Sequence, residues 1–219
     1  MGLAKFDFSL AIGGAAGQGI ATPGNTLARI FSSRGLHVNA YNAYQSIVRG
    51  GHIFLTVRVS DQMIYSHGDR LDLLICLNQD TMNRHLGLIG PGSRVIFNSD
   101  TITPGEPDDG VHMCPIPVAE MTDGSRNKVI QNTVALGVIA SLLGLDFDVL
   151  ADSLTQQFQR KGQAAVDENT SVARSGFEYA AKHFVPYSDP IAAGKKPLAL
   201  WAGNQAMAMG GAAAGVKFY

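Results

Sequence analysis

The stretch Phe6-Asp7-Phe8-Ser9-Leu10-Ala11-Ile12, continuing as Gly13-Gly14-Ala15-Ala16-Gly17-Gln18-Gly19 and then Ile20-Ala21-Thr22-Pro23, decides the fold of this chain. Phe6 to Ile12 reads as a short buried β-strand that breaks at Gly13. Thr22-Pro23 signals a helix start, since a proline in the first turn gives up an N–H that lacks an intrahelical partner. The helix runs through Leu27, Ile30 and Phe31 and stops at Gly35. A strand over His37–Tyr41 then completes a strand, glycine loop, helix, strand unit.

Between Phe8 and Ser60 there is no aspartate or glutamate, yet Arg29, Arg34, Arg49 and Arg58 lie within it. The same stretch holds a second glycine cluster, Arg49-Gly50-Gly51-His52. Bare backbone beside fixed positive charge lets an anion, usually a phosphate, approach main-chain N–H groups. The alternative is two tight turns in a chance gap between acids. Two nucleotide motifs are excluded. The dinucleotide fingerprint needs GxGxxG and a ribose-binding carboxylate about twenty residues on. This chain has Gly14, Gly17 and Gly19 in the order GxxGxG, and the next strand offers Asn39 instead. Gly14 and Gly19 have P-loop spacing, but Ile20-Ala21 stand where lysine and a hydroxyl belong. What survives is a strand-to-helix turn offering Gly17, Gly19 and their neighbours as backbone donors, with Gln18 as a side-chain donor. Tight packing of the turn is the other reading.

The segment from Tyr41 to His52 follows the second strand, so a doubly wound sheet places it beside the first loop at the carboxyl edge. Arg49 can grip a phosphate as a planar fork. His52 heads a strand and is read as structural before catalytic. Ser46 has no demonstrable base, Asp69 and Asp72 make no acid/base pair on spacing, and neither cysteine has an activating neighbour. The composition is that of a binding site without a catalyst's residues.

Farther along, Ile53–Val59 and Met63–Tyr65 read as a hairpin across Ser60-Asp61-Gln62. Leu71–Leu77 reads as a central parallel strand, Asp80–Leu88 as a helix, Arg94–Asn98 as a strand, and Val111–Val118 as an edge strand because Pro115 and Pro117 lack ladder donors. Helices follow at Lys128–Leu143, Asp148–Arg160 and Gln163–Phe184; in the first, Ile130, Val134, Val138 and Leu142 line one face. The fold class is α/β: a doubly wound, Rossmann-like sheet with an inserted antiparallel hairpin and C-terminal helices. Residues 1–185 form this domain and 186–197 a proline-bearing linker. Residues 198–219 read as the opening helix of a second domain whose body lies beyond Tyr219, as in a truncated chain.

A chain of 219 residues with 16% charged residues and a net charge of −1 can bury a large core and carries no basic face for nucleic acid. No apolar run is long enough for a membrane span. Cys76 and Cys114 stand alone in apolar segments, which reads as buried free thiols in a reducing cytoplasm and not as metal or cluster ligands.

The Gly13–Gly19 loop, Tyr44-Gln45-Ser46-Ile47-Val48-Arg49-Gly50-Gly51-His52, Val57-Arg58-Val59-Ser60-Asp61, Asp72-Leu73-Leu74 and Phe158-Gln159-Arg160-Lys161-Gly162 together resemble the γ module of 2-oxoacid:ferredoxin oxidoreductases. The resemblance covers Phe6 to Phe184. One departure is Ala16, where many relatives have a glycine. Gly203–Tyr219 resembles the start of the α module, an order found in fused γα subunits of the 2-oxoglutarate:ferredoxin oxidoreductase type. The resemblance implies oxidative decarboxylation of a 2-oxoacid, 2-oxoglutarate before pyruvate, with coenzyme A, giving acyl-CoA, carbon dioxide and reduced ferredoxin. Thiamine diphosphate, Mg²⁺ and 4Fe–4S clusters would lie in other modules, so the isolated chain is expected to be inactive. It implies coenzyme A contacts from Gly17, Gln18, Gly19, Ser46, Arg49, Asn132 and Arg160 or Lys161. The alternatives for Asn132 and Lys161 are a helix-surface amide and a solvated charge at a helix C-terminus. Implied partners are the α module, a β subunit in a dimer of heterodimers, and ferredoxin. A competing function is a non-catalytic nucleotide- or anion-binding assembly module; a nicotinamide dehydrogenase is disfavoured by the missing ribose carboxylate.

Overall fold

Strand β1 (Asp7–Ala16) runs through the middle of a six-stranded sheet and supplies both of its cores. The computed structural model describes residues 6–43, 50–123, 127–188, 191 and 196–217. Alternation along β1 sends Leu10 and Ile12 to one face and Ala11 to the other. The same alternation continues in β4 (Leu73–Cys76) and β5 (Arg94–Asn98). Leu73, Ile75 and Ile96 join the larger core, while Leu74, Cys76, Val95 and Phe97 join the smaller. With both faces covered, these strands are apolar throughout, which is why they read as unbroken hydrophobic runs.

The order is β2-β3-β1-β4-β5-β6, with β2 at His37–Ala43, β3 at Gly50–Ser60 and β6 at His112–Ile116. Strand β1 pairs in parallel with β4, and β4, β5 and β6 continue in parallel. The proline-bearing β6 is an edge strand, as its missing donors require. Helices α1 (Ala21–Ser33), α4 (Lys128–Leu142), α5 (Phe147–Phe158) and α6 (Gln163–His183) cover the larger core, and α2 (Gln79–His85) covers the smaller. A short helix, α3 (Val118–Met121), follows β6. No described helix is long and apolar enough to cross a membrane.

Three expectations are corrected. Strand β1 does not break at Gly13 but continues to Ala16. Gly13 and Gly14 are ladder residues opposite Phe54 and Ile53, and they are bare because a Cβ would meet Thr81 Cγ2 at 2.3 Å at the first position and Gln18 Oε1 at 2.6 Å at the second. The inserted hairpin is β2–β3, paired from His37↔Ser60 to Ala43↔Phe54, and Met63–Tyr65 is not a strand. Consequently β2 does not lie beside β1; antiparallel β3 sits between them. Helix α4 buries every residue from Asn132 to Leu142, not one face alone, because sheet and helices surround it.

Helices α4 and α6 approach backbone to backbone through reciprocal glycines. A Cβ at Gly137 would meet the Ala173 carbonyl oxygen at 1.9 Å, and one at Gly176 the Val134 carbonyl oxygen at 2.3 Å. Nearby, the Thr133 hydroxyl donates to Asn169 Oδ1 across 2.9 Å, which pairs these two buried polar side chains across the seam. After α6 the chain returns under the sheet, where the Tyr187 hydroxyl donates to the Asp72 carbonyl (2.5 Å) and Arg94 stacks on its ring at 3.7 Å. Beyond it, Leu198 N–H bonds the Ser32 carbonyl, and helix α7 (Gly203–Ala213) has no buried residue. Exposed Trp201, Met207 and Met209 lie along this last part.

Candidate functional site: the glycine turn at the carboxyl edge

Strand β1 delivers the chain into a turn made of Gly17, Gln18 and Gly19, after which α1 begins at Ala21. Gly17 and Gly19 have φ of 88° and 76°, which a residue with a Cβ rarely adopts. Nothing lies within 4 Å of a Cβ at Gly17, so its backbone is open to an approaching group. Gln18 folds back on the strand: its N–H bonds the Ala15 carbonyl at 3.0 Å, and its Oε1 accepts from Ala15 N–H at 2.6 Å. The side chain that the sequence offers as a donor thus also uses its amide oxygen to shape the turn. Helix α1 has no acid in its first turn and no side-chain cap, so the positive end of its dipole is uncompensated.

Asn132 reaches the turn from α4. Its Nδ2 donates to the Gln18 carbonyl across 2.6 Å, and the residue is 6% exposed. It is therefore not a helix-surface amide; it clamps the turn that the family resemblance assigns to coenzyme A. Arg160 and Lys161 are exposed in a 3-10 turn after α5. Thr26 donates to Gln157 Oε1 at 2.7 Å, which sets the C-terminal end of α5 beside the early turns of α1. Lys161 Nζ stands 5.3 Å over the Phe158 ring. Among the described residues, hydrogen bonds join Asn132 to the glycine turn but not Arg160 or Lys161.

Ser46 and Arg49 lie outside the described residues, but the ends of their segment are placed. Ala43 closes β2 and Gly50 opens β3 opposite Ala16, so both ends stand at the edge that carries the glycine turn. The other arginines of the acid-free stretch are dispersed. Arg58 makes a bidentate pair with Asp7, at 2.6 and 2.9 Å, at the far end of β1. That pair holds the Asp7 carboxyl below its ordinary range, with the Arg58 hydrogen bond as the main cause. Arg34 ends α1 and donates to the Ile191 carbonyl at 3.4 Å. Arg29 lines a groove of about 740 Å³ between α1, α5 and residues 197–200. At the glycine turn itself the crevice lined by Gln18, Asn98 and Asn132 holds only about 30 Å³, little more than a water's share. The turn is a partly exposed surface, open at Gly17, and not an enclosed pocket.

Asp72, which makes no acid/base pair with Asp69 on spacing, accepts from Ser9 N–H at 2.8 Å and pairs with Arg70 at 3.1 Å. Among the described residues no cluster of three or more His, Cys, Asp or Glu side chains could hold a metal. Burial pushes the Cys76 thiol up to about 12 and the Cys114 thiol to about 11. Both are therefore expected to resist iodoacetamide in the folded protein near about pH 8 and to alkylate once it is unfolded. Mass spectrometry of the folded and denatured chain reads this directly, and rapid native labelling of either thiol would contradict its burial.

The sequence missed one polar cluster. His52, opposite Ala15 on β1, places Nε2 at 2.7 Å from Nε2 of His85 on α2. The two residues are far apart in sequence, and no local pattern links them.

Residues 9–179 match the family model of pyruvate ferredoxin/flavodoxin oxidoreductases. The chain belongs to this family. Ketoisovalerate oxidoreductase subunit VorA of Methanothermobacter thermautotrophicus is 29% identical over 175 residues, covering 78% of this chain and 36% of the relative. Subunit alpha of the 2-oxoacid:ferredoxin oxidoreductase from a Sulfolobus species is 31% identical over 77 residues, 35% of this chain and 12% of that one. Among solved structures, the 2-oxoglutarate:ferredoxin oxidoreductase of Magnetococcus marinus, with 2-oxoglutarate, coenzyme A and succinyl-CoA bound, matches with a TM-score of 0.85 at 25% identity. That match covers 94% of this chain and 37% of the other. The gamma subunit of a keto/oxoacid ferredoxin oxidoreductase from Geobacter sulfurreducens shares the fold at a TM-score of 0.67 and 22% identity, over 81% of this chain and 98% of that one. The family member described here thus has the γ-module fold, and it spans little more than a third of the VorA relative and of the Magnetococcus chain.

Proposed function

We propose that the chain contributes the coenzyme A-facing γ module of a cytoplasmic 2-oxoacid:ferredoxin oxidoreductase. The observation that carries this reading is the Gly17-Gln18-Gly19 turn, held open by Asn132 at the acid-free N-terminus of α1. Coenzyme A carries several phosphate charges, and outward backbone N–H groups at a helix N-terminus are suited to them. Because the crevice at the turn is small, the ligand would lie across the surface and be enclosed by a neighbouring module. In this reading residues 198–219 begin an α module, and Trp201, Met207 and Met209 are covered by the rest of it. Thiamine diphosphate and the iron–sulfur clusters sit in the α module, the β subunit or associated subunits, and two electrons pass to ferredoxin for each 2-oxoacid decarboxylated.

The substrate we favour is 2-oxoglutarate, supported by the Magnetococcus enzyme's bound ligands. A branched 2-oxoacid is the second reading, favoured by the VorA relatives. Steady-state assays of the whole enzyme on 2-oxoglutarate, 2-oxoisovalerate and pyruvate separate them by kcat/KM.

The module's own role is tested by Arg49→Ala in the assembled enzyme. Loss of a charge-assisted hydrogen bond costs about 1.5–3 kcal/mol, so the KM for coenzyme A should rise about ten- to a hundredfold. The KM for the 2-oxoacid should hardly move. Arg49→Lys should recover only part of the loss, since a point charge does not reproduce the planar fork. An unchanged coenzyme A value in a correctly assembled variant would assign Arg49 to packing.

A further inference from the structure

The His52–His85 pair lies directly behind the glycine turn. His52 faces Ala15, the residue whose N–H is bonded by Gln18, and it follows Arg49-Gly50-Gly51 in the chain. The Nε2–Nε2 distance of 2.7 Å admits one arrangement, in which one ring donates and the other accepts. Phe54 stacks against both rings, at 4.0 Å from His85 and 6.0 Å from His52. The charged groups that face the pair are both on α2: Asp80, with Oδ2 at 3.5 Å from His52 Nδ1, and Arg84, which is paired to Asp80 at 2.8 Å. The partners on the strands, Ala15 and Phe54, carry no charge.

We propose that His52 and His85 form a positioning pair that pins the entrance of β3 at Gly50-Gly51 against α2, beside the Gly17-Gln18-Gly19 turn. This rests on the coenzyme A reading of that turn. A neutral pair with the proton on one Nε2 makes the hydrogen bond; a pair in which both rings are imidazolium has a donor on each side, loses the bond and sets two positive charges against each other. Burial keeps both imidazoles below the ordinary histidine range, with His85 lowered further by His52 and Arg84. The sign follows from this. The pair is neutral and bonded at neutral pH, and its contribution is lost as pH falls below about 6.5, where the unfolded histidines take up protons first.

His85→Phe is the informative variant, because it keeps a ring on Phe54 while removing the hydrogen bond and one of the two titrating rings. Hydrogen exchange of residues 50–56 should show about tenfold less protection in the variant near about pH 7.5, the change expected for one lost hydrogen bond. Acidification to about pH 5.5, corrected for intrinsic exchange, should reduce protection more in the unsubstituted protein than in the variant, which keeps only His52 to titrate. In the assembled enzyme the KM for coenzyme A should follow the same pattern, rising in acid for the unsubstituted protein and already raised and less pH-dependent in the variant, with kcat changed less. Equal protection in the two proteins, or the same acid response in both, would overturn the brace. Altered protection with a coenzyme A KM that ignores both pH and the variant would overturn its positioning role. Arg49→Ala decides separately whether coenzyme A uses this turn, so failure of the pair and failure of the ligand reading are told apart.

Discussion

Gly137→Ala is expected to destabilise the domain by about 3 kcal/mol and to lower Tm by about 6–12 °C. Two effects oppose each other at this position. Alanine in a helix interior is favoured over glycine by about 1 kcal/mol. Against this, the new Cβ would stand 1.9 Å from the Ala173 carbonyl oxygen of α6, far inside contact distance. That oxygen is helix backbone and cannot swing aside as a side-chain tip can, so the whole α4–α6 seam must open. Gly176→Ala meets the Val134 carbonyl at 2.3 Å and should behave alike. Gly87→Ala is the control, since nothing lies within 4 Å of its Cβ, and it should stay within about 0.5 kcal/mol. Thermal melts of the three variants are sufficient. Unchanged melting of Gly137→Ala would mean that the two helices are not in backbone contact.

Asn132→Asp should strike the Gly17-Gln18-Gly19 turn harder than any neutral substitution there. The change is isosteric, but it replaces the donor that holds the Gln18 carbonyl at 2.6 Å by an acceptor. Two oxygens would then face each other in a position only 6% exposed. The expected cost is about 3 kcal/mol of stability, unless the carboxyl takes up a proton. In the assembled enzyme the added negative charge also opposes an anion at the turn. The KM for coenzyme A should therefore rise by about tenfold or more, with the rise shrinking toward acid as the new carboxyl is neutralised. Asn132→Gln keeps a donor and should recover part of the affinity. Equal effects on coenzyme A and on the 2-oxoacid would assign Asn132 to folding alone.

The sequence by itself determined most of the elements and their burial. Leu73–Cys76 and Arg94–Asn98 are covered on both faces, so their apolar runs mark them directly. Pro115 marks β6 as an edge strand because a proline cannot complete a central ladder. The glycine turn before α1 was legible from Gly17 and Gly19, whose positive φ is a property of single residues. Pairing and charge placement were decided only by the tertiary structure. Nothing local distinguishes a strand that lies beside β1 from one that lies beyond it, so the insertion of β3 between β1 and β2 could not be read. Gly13 and Gly14 look like loop residues, yet they are strand positions kept bare by Thr81 and Gln18 approaching from outside the strand. The acid-free stretch looked like one positive face until folding brought Asp7 onto Arg58 and carried Arg34 to the far end of α1. His52 and His85 meet only because β3 and α2 pack on the same side of the sheet. Local propensity is carried by neighbours in sequence, whereas a hydrogen bond or ion pair between distant residues exists only once the sheet order is set.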